Sequence, residues 1–386
     1  MCVVRVGIVG LGGAAERIHL PALHTIDQVE VVGGADSDPL RRAAALGAGV
    51  PRAFDRAETL IEATQPDVIV IATPPASHRD LCLLALDAGC HVFCEKPFVM
   101  SVTEADEVVA AADRAGRLVA VNNQYRQMLI YRKTRAAIAR GLFGKPYLLQ
   151  VWQQMNLPPE HDPPWRAAMS RRILFEFATH AIDLVSFLFG GWPAPPIAPG
   201  YPPDQPYAVS ARTPMPLPGQ DADLISVVRL DLAGARSANL IFNRRSQAPQ
   251  KYLEMRLDCE RASIRLSLGG VARLEVGWNS EAGRPRFRSS LVRGGEVRVE
   301  RDGRSRVLAR EPHSPFSPAT GRHFRRFLDA IEHDRVPEGS ARSARELIRT
   351  VFAAYQSADR GGELVRVERP GDQTLAVHTN GASRRP

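Results

Sequence analysis

The run Gly10-Leu11-Gly12-Gly13-Ala14-Ala15, set between the apolar stretch 3–9 (VVRVGIV) and an amphipathic segment, constrains this chain more than any other feature. In a G-x-G-x-x-A turn, Gly10 permits the tight bend, Gly12 lets the backbone approach a pyrophosphate, and the small Ala15 allows close helix packing. Free N–H groups at the start of the following helix then face the anion. Asp36 follows Ala15 by 21 residues, at the end of a second apolar run, VEVVGGA, where a carboxylate binds ribose hydroxyls. Together these predict dinucleotide binding. Asp36 repels a 2′-phosphate and Ser37 is not arginine, so NAD is favoured over NADP, with Arg41 and Arg42 pulling the other way.

Short apolar runs continue the pattern: DVIVIAT at 67–73, HVFC at 91–94 and LVAV at 118–121. Helical segments fall between them, at about 39–48, 55–64, 77–89 and 103–115, the last with Ser101 and Thr103 as candidate N-caps. This βαβ alternation predicts an α/β, doubly wound parallel sheet over residues 1–125. Residues 126–370 read as an α+β unit. They give a helix near 129–140, a strand at 147–155, one long apolar helix at 171–189, an antiparallel meander from 223 onward, and helices at 320–333 and 341–358. Segment 193–218 holds ten prolines in 26 positions, which predicts a loop or extended arm and no central strand. Residues 371–386 read as a flexible tail.

Composition narrows the class. The 386 residues suffice for two or three domains, and 44% hydrophobic with 24% charged content excludes global disorder. No apolar run approaches a membrane span of roughly 18 residues. Five cysteines without paired spacing read as reduced thiols, and no metal site is expected; with no leader visible, a cytoplasmic location is expected. The net charge of +8 raises nucleic acid as a partner, but 46 of the 50 basic residues are arginine, scattered, in a chain only 6% aromatic, so none is expected.

Glu95-Lys96-Pro97 closes the fourth strand at the carboxyl edge, where open α/β sheets bind ligands. The glycine turn, ATPPASH at 72–78 and this EKP turn, in that order and spacing, resemble the Gfo/Idh/MocA family of NAD(P)-dependent oxidoreductases. The resemblance extends through GLFGKP at 141–146, Trp165-Arg166 and the C-terminal helices. It implies that Lys96 reaches both the substrate hydroxyl and the nicotinamide ribose, that the peptide before Pro97 is cis, and that Thr73 and Pro74 lie beside the nicotinamide. Glu95 and His78 join the cofactor set, His78 with a structural role at its helix start as the alternative. The family's helix signature, Asp-x-Gly-x-His-x-x-Asp, reads here Glu176 to Asp183, with Glu for the first Asp and Ala178 for Gly.

Spacing supports that helix independently. Glu176, His180 and Asp183 stand at i, i+4 and i+7, within about 60° on one face of an α-helix. A polar stripe on an otherwise apolar helix needs partners, either one another or a ligand. His180 is then the acid/base, titrating near neutrality, with Glu176 orienting it. The resemblance further implies that Asn123 and Arg126, matching the family's N-x-x-R at the domain junction, contact substrate, with an interdomain structural pair as the equal alternative, and that Trp152, Gln153, Trp165 and Arg166 are candidates to line the sugar pocket. The remaining histidines share no metal spacing, and most read as surface residues or caps. The expected activity is hydride transfer between a secondary alcohol carbon of a sugar or cyclitol and NAD. The alternatives are NAD-dependent glycoside cleavage by transient oxidation and elimination, or a non-catalytic cofactor-binding regulator. The resemblance also implies a homodimer or homotetramer.

Overall fold

A computed structural model describes residues 3–155, 162–169, 171–191, 205–213, 223–247, 251–269, 271–279, 284–292 and 294–368. Strands β1 (Val4–Val9), β2 (Val29–Ala35), β3 (Ala53–Phe54), β4 (Val68–Ile71), β5 (His91–Cys94) and β6 (Val119–Val121) form a parallel sheet in the order β3-β2-β1-β4-β5-β6. The chain reverses direction across this sheet on either side of β1, whose neighbours are β2 and β4. Ligands in such sheets bind outside the carboxyl ends at that point. Every residue of β4 (VIVI) is buried, as expected for a parallel strand covered on both faces.

Helices α2 (Pro39–Gly47), α3 (Ala57–Thr64), α4 (His78–Asp87) and α5 (Val102–Ala115) link the strands. Ser101 caps α5, its hydroxyl accepting the Glu104 N–H at 3.1 Å, while Thr103 lies inside the helix. The segment after the glycine turn is less regular: Ala15–His19 is a π-helical turn that leads into α1 (Leu20–Leu23).

The second sheet has nine strands, ordered β16-β15-β12-β11-β7-β10-β9-β8-β17. These are β7 (Pro146–Gln154), β8 (Ala208–Arg212), β9 (Ile225–Leu232), β10 (Arg236–Asn243), β11 (Lys251–Cys259), β12 (Ala262–Leu268), β15 (Gly295–Arg301), β16 (Arg304–Glu311) and β17 (Val365–Arg366); β13 (Val271–Asn279) and β14 (Arg284–Val292) pair apart. The sheet is mostly antiparallel, but the meander expected from 223 is interrupted. β7 lies between β10 and β11 and runs parallel to β10, because a helical crossover returns the chain in the same direction. Strand β8 also departs from expectation. The proline-free stretch 208–212 pairs with both β9 and β17, while the neighbouring 193–204 and 214–218 lie outside the described residues, as does the 371–386 tail.

Helices α6 (Leu129–Ala139), α8 (Thr179–Phe189) and α10 (Ala341–Asp359) share one core with Leu149, Val151 and Leu240 of this sheet. The C-terminal helices also reach back to the first sheet. Phe324 and Phe327 of α9 (Phe316–Glu332) pack with Val6, Ile8 and Phe93, and Ala344 and Ile348 of α10 pack on its other face with Ile71 and Cys94. Among the described residues no helix is long and apolar enough to cross a membrane.

Candidate active site

The glycine turn forms at the end of β1 as its spacing requires. Gly10 has φ +90°, and a Cβ there would stand 2.7 Å from the Ala72 carbonyl carbon, so only glycine fits. The guanidinium of Arg41 lies over Gly12 and that of Arg17 over Gly13. A backbone-walled cradle flanked by two cations at a helix start suits a pyrophosphate. At the end of β2, the Asp36 side chain is 7% exposed. Its oxygens accept the Leu11 and Asp38 N–H groups at 2.8 and 2.9 Å, and Arg41 Nη1 stands 3.6 Å away. Arg42 donates to the Asp36 and Ser37 carbonyls at 2.8 and 3.0 Å. Arg41, with its side chain 54% exposed, is therefore the arginine better placed to turn toward a 2′-phosphate. NAD should bind more tightly than NADP in calorimetric titration, and Asp36→Ala should narrow the gap by about tenfold, one charge contact's worth. Equal affinities in the wild type would remove the argument.

Beyond β5 the Lys96–Pro97 peptide is cis. Three groups hold this turn. His78 is fully buried, with Nδ1 3.0 and 2.9 Å from the Pro97 and Phe98 carbonyl oxygens and Nε2 2.8 Å from that of Thr73. Burial lowers the His78 pKa, and a neutral ring has one N–H to donate, so it bonds on one side and packs on the other; these backbone contacts favour the structural role at the helix start. Beside it, the Ser77 hydroxyl donates to Thr73 Oγ1 at 2.8 Å, and Pro74 is exposed. Glu95 is buried, with His19 Nε2 and Asn122 Nδ2 each 2.8 Å from Oε1, while the Lys96 N–H reaches Oε2 at 3.1 Å. Burial alone raises the Glu95 pKa. The His19 and Asn122 hydrogen bonds and the Lys96 charge outweigh it and hold the carboxyl at about 2. Finally, Lys96 Nζ donates to the Glu176 carbonyl oxygen at 3.2 Å, across 80 residues of chain.

The expected single helix at 171–189 is broken. Ile173–Phe177 is a π-helical turn, Ala178 interrupts, and α8 begins at Thr179. The wide turn spoils the α-helical stripe, and the three polar residues find separate partners. Glu176 Oε1 takes Arg166 Nη2 at 2.6 Å and makes no hydrogen bond to His180. Asp183 binds Arg126 with two bonds of 2.5 and 2.6 Å and accepts Asn123 Nδ2 at 3.3 Å. Burial raises its pKa, partly offset by Arg126. This explains Asn123 and Arg126 as a junction holding α8. His180 instead stacks on Tyr125, with ring centroids 3.9 Å apart and 4° between the planes. Burial, followed by the Lys96 ammonium, pushes the imidazole well below its ordinary value, against the expected titration near neutrality; Glu95 offsets part of this.

Among the polar atoms buried here without a hydrogen-bond partner are Glu176 Oε2 and His180 Nδ1. With the Lys96 ammonium they can take hydroxyl protons or hydroxyl hydrogen bonds. Arg166, on α7 (Pro164–Ala167), also meets Asp162 at 3.5 Å and lies over Trp165, 4.9 Å from the ring centre. Asp162 in turn gathers Arg172 and Arg244 at 2.8 and 2.9 Å.

Trp152 does not join the cleft. Strand alternation places Leu149, Val151 and Gln153 on the face covered by α8, and Trp152 on the opposite face. Sequence reasoning also missed residues. His19 and His323 are buried, not surface histidines, and Tyr125 gave no motif signal. Among the described residues no cluster of His, Cys, Asp or Glu is arranged to hold a metal ion.

Comparison with known proteins bears on this arrangement. Residues 4–123 match the model of an oxidoreductase family with an NAD-binding Rossmann fold, GFO_IDH_MocA, and residues 131–265 match the GFO/IDH/MocA C-terminal domain. A D-apiose dehydrogenase of Paraburkholderia graminis is 34% identical over 179 residues, covering 46% of this chain and 48% of that protein. The D-glucoside 3-dehydrogenase of Escherichia coli is 29% identical over 194 residues, covering 48% and 54%. The matches span about half the length of these relatives. An oxidoreductase from Agrobacterium radiobacter, solved with NAD+, L-tartaric acid and magnesium, shares the fold at TM-score 0.77 and 17% identity, over 95% of this chain and 98% of that one. The WlbA dehydrogenase of Bordetella pertussis, solved with NADH and UDP-GlcNAcA, does so at 0.71 and 22%, over 95% and 99%.

Proposed function

The chain belongs to the Gfo/Idh/MocA oxidoreductase family, and from that premise we propose that it transfers a hydride between a secondary alcohol carbon of a sugar or cyclitol and NAD. The observation that carries the reading is one cluster: the Lys96 ammonium on the Glu176 carbonyl, beside the partnerless Glu176 Oε2 and His180 Nδ1. Bound NAD supplies the hydride acceptor at its nicotinamide ring. The protein has to position the carbinol carbon and manage the hydroxyl proton. Gly10, Gly12 and Ala15 with the helix start would hold the pyrophosphate, Asp36 the adenosine ribose, and Thr73 and Pro74 the nicotinamide end. Lys96 stabilises the alkoxide that develops as the hydroxyl loses its proton, and His180 takes that proton. Glu176 accepts a neighbouring substrate hydroxyl through Oε2, its other oxygen being held by Arg166. Relatives that act on apiose, glucosides and inositol support a polyhydroxylated substrate. The same family membership supports a homo-oligomer built on the open face of the second sheet.

A panel of sugars and cyclitols assayed with NAD for NADH formation tests the reading; no NADH from any polyol rejects it. The pH profile is a second test. Because burial keeps His180 neutral well below pH 6.5, kcat/KM for oxidation should hold its plateau into the acid range, and it should fall only when the imidazole takes a proton. His180→Asn should abolish that limb. A variant that kept its rate while losing thermal stability would make the histidine a core filler.

A further inference from the structure

Adjacent residues of the EKP turn are each held by a π-helical turn. Glu95 meets His19, the last residue of the π turn that follows the glycine loop. Lys96 meets the carbonyl of Glu176, in the π turn that precedes α8. Such wide turns are rare and concentrate at functional sites. The Glu95 carboxylate is shared three ways, by the His19 ring, the Asn122 amide and the backbone N–H of Lys96 itself. Asn122 also donates to Thr320 Oγ1 of α9 at 3.1 Å.

His19 is an odd filler for its site. It is 1% exposed and edge-on to Phe93, its Nε2 meets Glu95 Oε1 at 2.8 Å, and its Nδ1 is buried without a partner. Burying an unsatisfied nitrogen costs free energy that an aliphatic side chain of similar volume avoids. The contact this nitrogen cost accompanies is the one to the carboxylate beside Lys96.

We propose that His19 is a positioning residue that acts through Glu95, so that the helix receiving the cofactor's phosphates fixes where the Lys96 ammonium stands. The inference rests on the reading of Lys96 as the group that faces the substrate hydroxyl. Glu95 is held ionised and is therefore a fixed acceptor throughout the working pH range. A shift of the Gly12–His19 segment on anion binding is carried by a single carboxylate into the backbone of Lys96. Misplacing a reacting group by about 1 Å costs up to roughly 10²-fold in rate, which sets the scale.

The test compares His19→Leu, which removes the hydrogen bond, with His19→Gln, whose amide nitrogen reaches the position of Nε2, and His19→Asn, whose amide stops short. Acetylation by acetic anhydride, read peptide by peptide with mass spectrometry, reports Lys96 against the exposed Lys133, in a chain with four lysines. Relative Lys96 labelling should change by about threefold or more in the Leu and Asn variants and return to the wild-type value in Gln, since the site depends on sub-ångström placement. The same two variants should lose about 10- to 100-fold in kcat, with NAD affinity by calorimetry changed far less. Unchanged labelling in His19→Leu overturns the proposal, whatever the sugar panel shows. If that variant does not fold, equal labelling of Gln and Asn overturns it. Should no polyol yield NADH while labelling behaves as expected, the hydride reading fails and the coupling of His19 to Lys96 stands.

Discussion

Lys96→Arg is expected to fold and bind NAD but to turn over roughly 10² to 10⁴ times more slowly, the range for a lost acid/base participant. The chain holds 46 arginines and four lysines, so arginine serves nearly everywhere a positive charge alone suffices. At position 96 the side chain reaches the Glu176 carbonyl at 3.2 Å, next to a buried, ionised Glu95. An ammonium is compact and can shed a proton, whereas a guanidinium is a bulky planar fork that does not. On the proposed reading the pyrophosphate and adenosine would be held at Gly10 to Ala15 and at Asp36, on other strand ends, so binding should survive. Single-turnover rates with the active polyol measure the effect. A loss smaller than about fivefold would mean that Lys96 supplies a replaceable charge.

Gly10→Ala should have the largest effect on the cofactor site. The added methyl would meet the Ala72 carbonyl carbon at 2.7 Å and its oxygen at 2.8 Å, at a residue with φ +90°. Backbone cannot move aside as a flexible side chain can, and a left-handed backbone at a non-glycine residue costs about 1–3 kcal/mol by itself. With the clash, a destabilisation of about 3 kcal/mol or more is expected, together with a loss of NAD binding of about 100-fold or more. Thermal unfolding with and without NAD separates the two effects. Gly12→Ala is the control. Its Cβ meets only the mobile guanidinium of Arg41, at 3.5 Å, so it should fold normally and weaken NAD alone.

What the sequence made legible follows from which signals are local. The glycine turn, the short apolar runs and the acid at the end of β2 are short-range patterns, and five strands of the first sheet follow from them; the two-residue β3 gave no such run. Ser101 as a cap is of the same kind, whereas the cis Lys96–Pro97 peptide was expected from the family resemblance. Partnerships across long separations were hidden. No periodicity reveals that Arg166 and not His180 takes Glu176, that Arg126 takes Asp183, or that Tyr125 carries the His180 ring. The projected α-helical face misled because π turns do not keep 100° per residue. Proline density misled at β8, where the seven residues between Pro206 and Pro214 suffice for a five-residue strand. In β15 the apolar signal is two residues, Val297 and Val299, between charged neighbours on the exposed face, so the arginine-rich stretch concealed it. Trp152 and Gln153 were grouped as neighbours in a pocket, although a strand turns consecutive side chains to opposite faces.

The central claim is that hydrogen passes from a carbinol carbon of the substrate to NAD under the care of Lys96 and His180. The most direct measurement uses the polyol that the panel identifies, deuterated at the reacting carbon, with mass spectrometry of the nicotinamide product after one turnover. One deuterium in NADH for each molecule of ketone formed is the predicted result. Cleavage of a glycoside without accumulation of NADH, or NADH carrying no label from the carbinol, contradicts it.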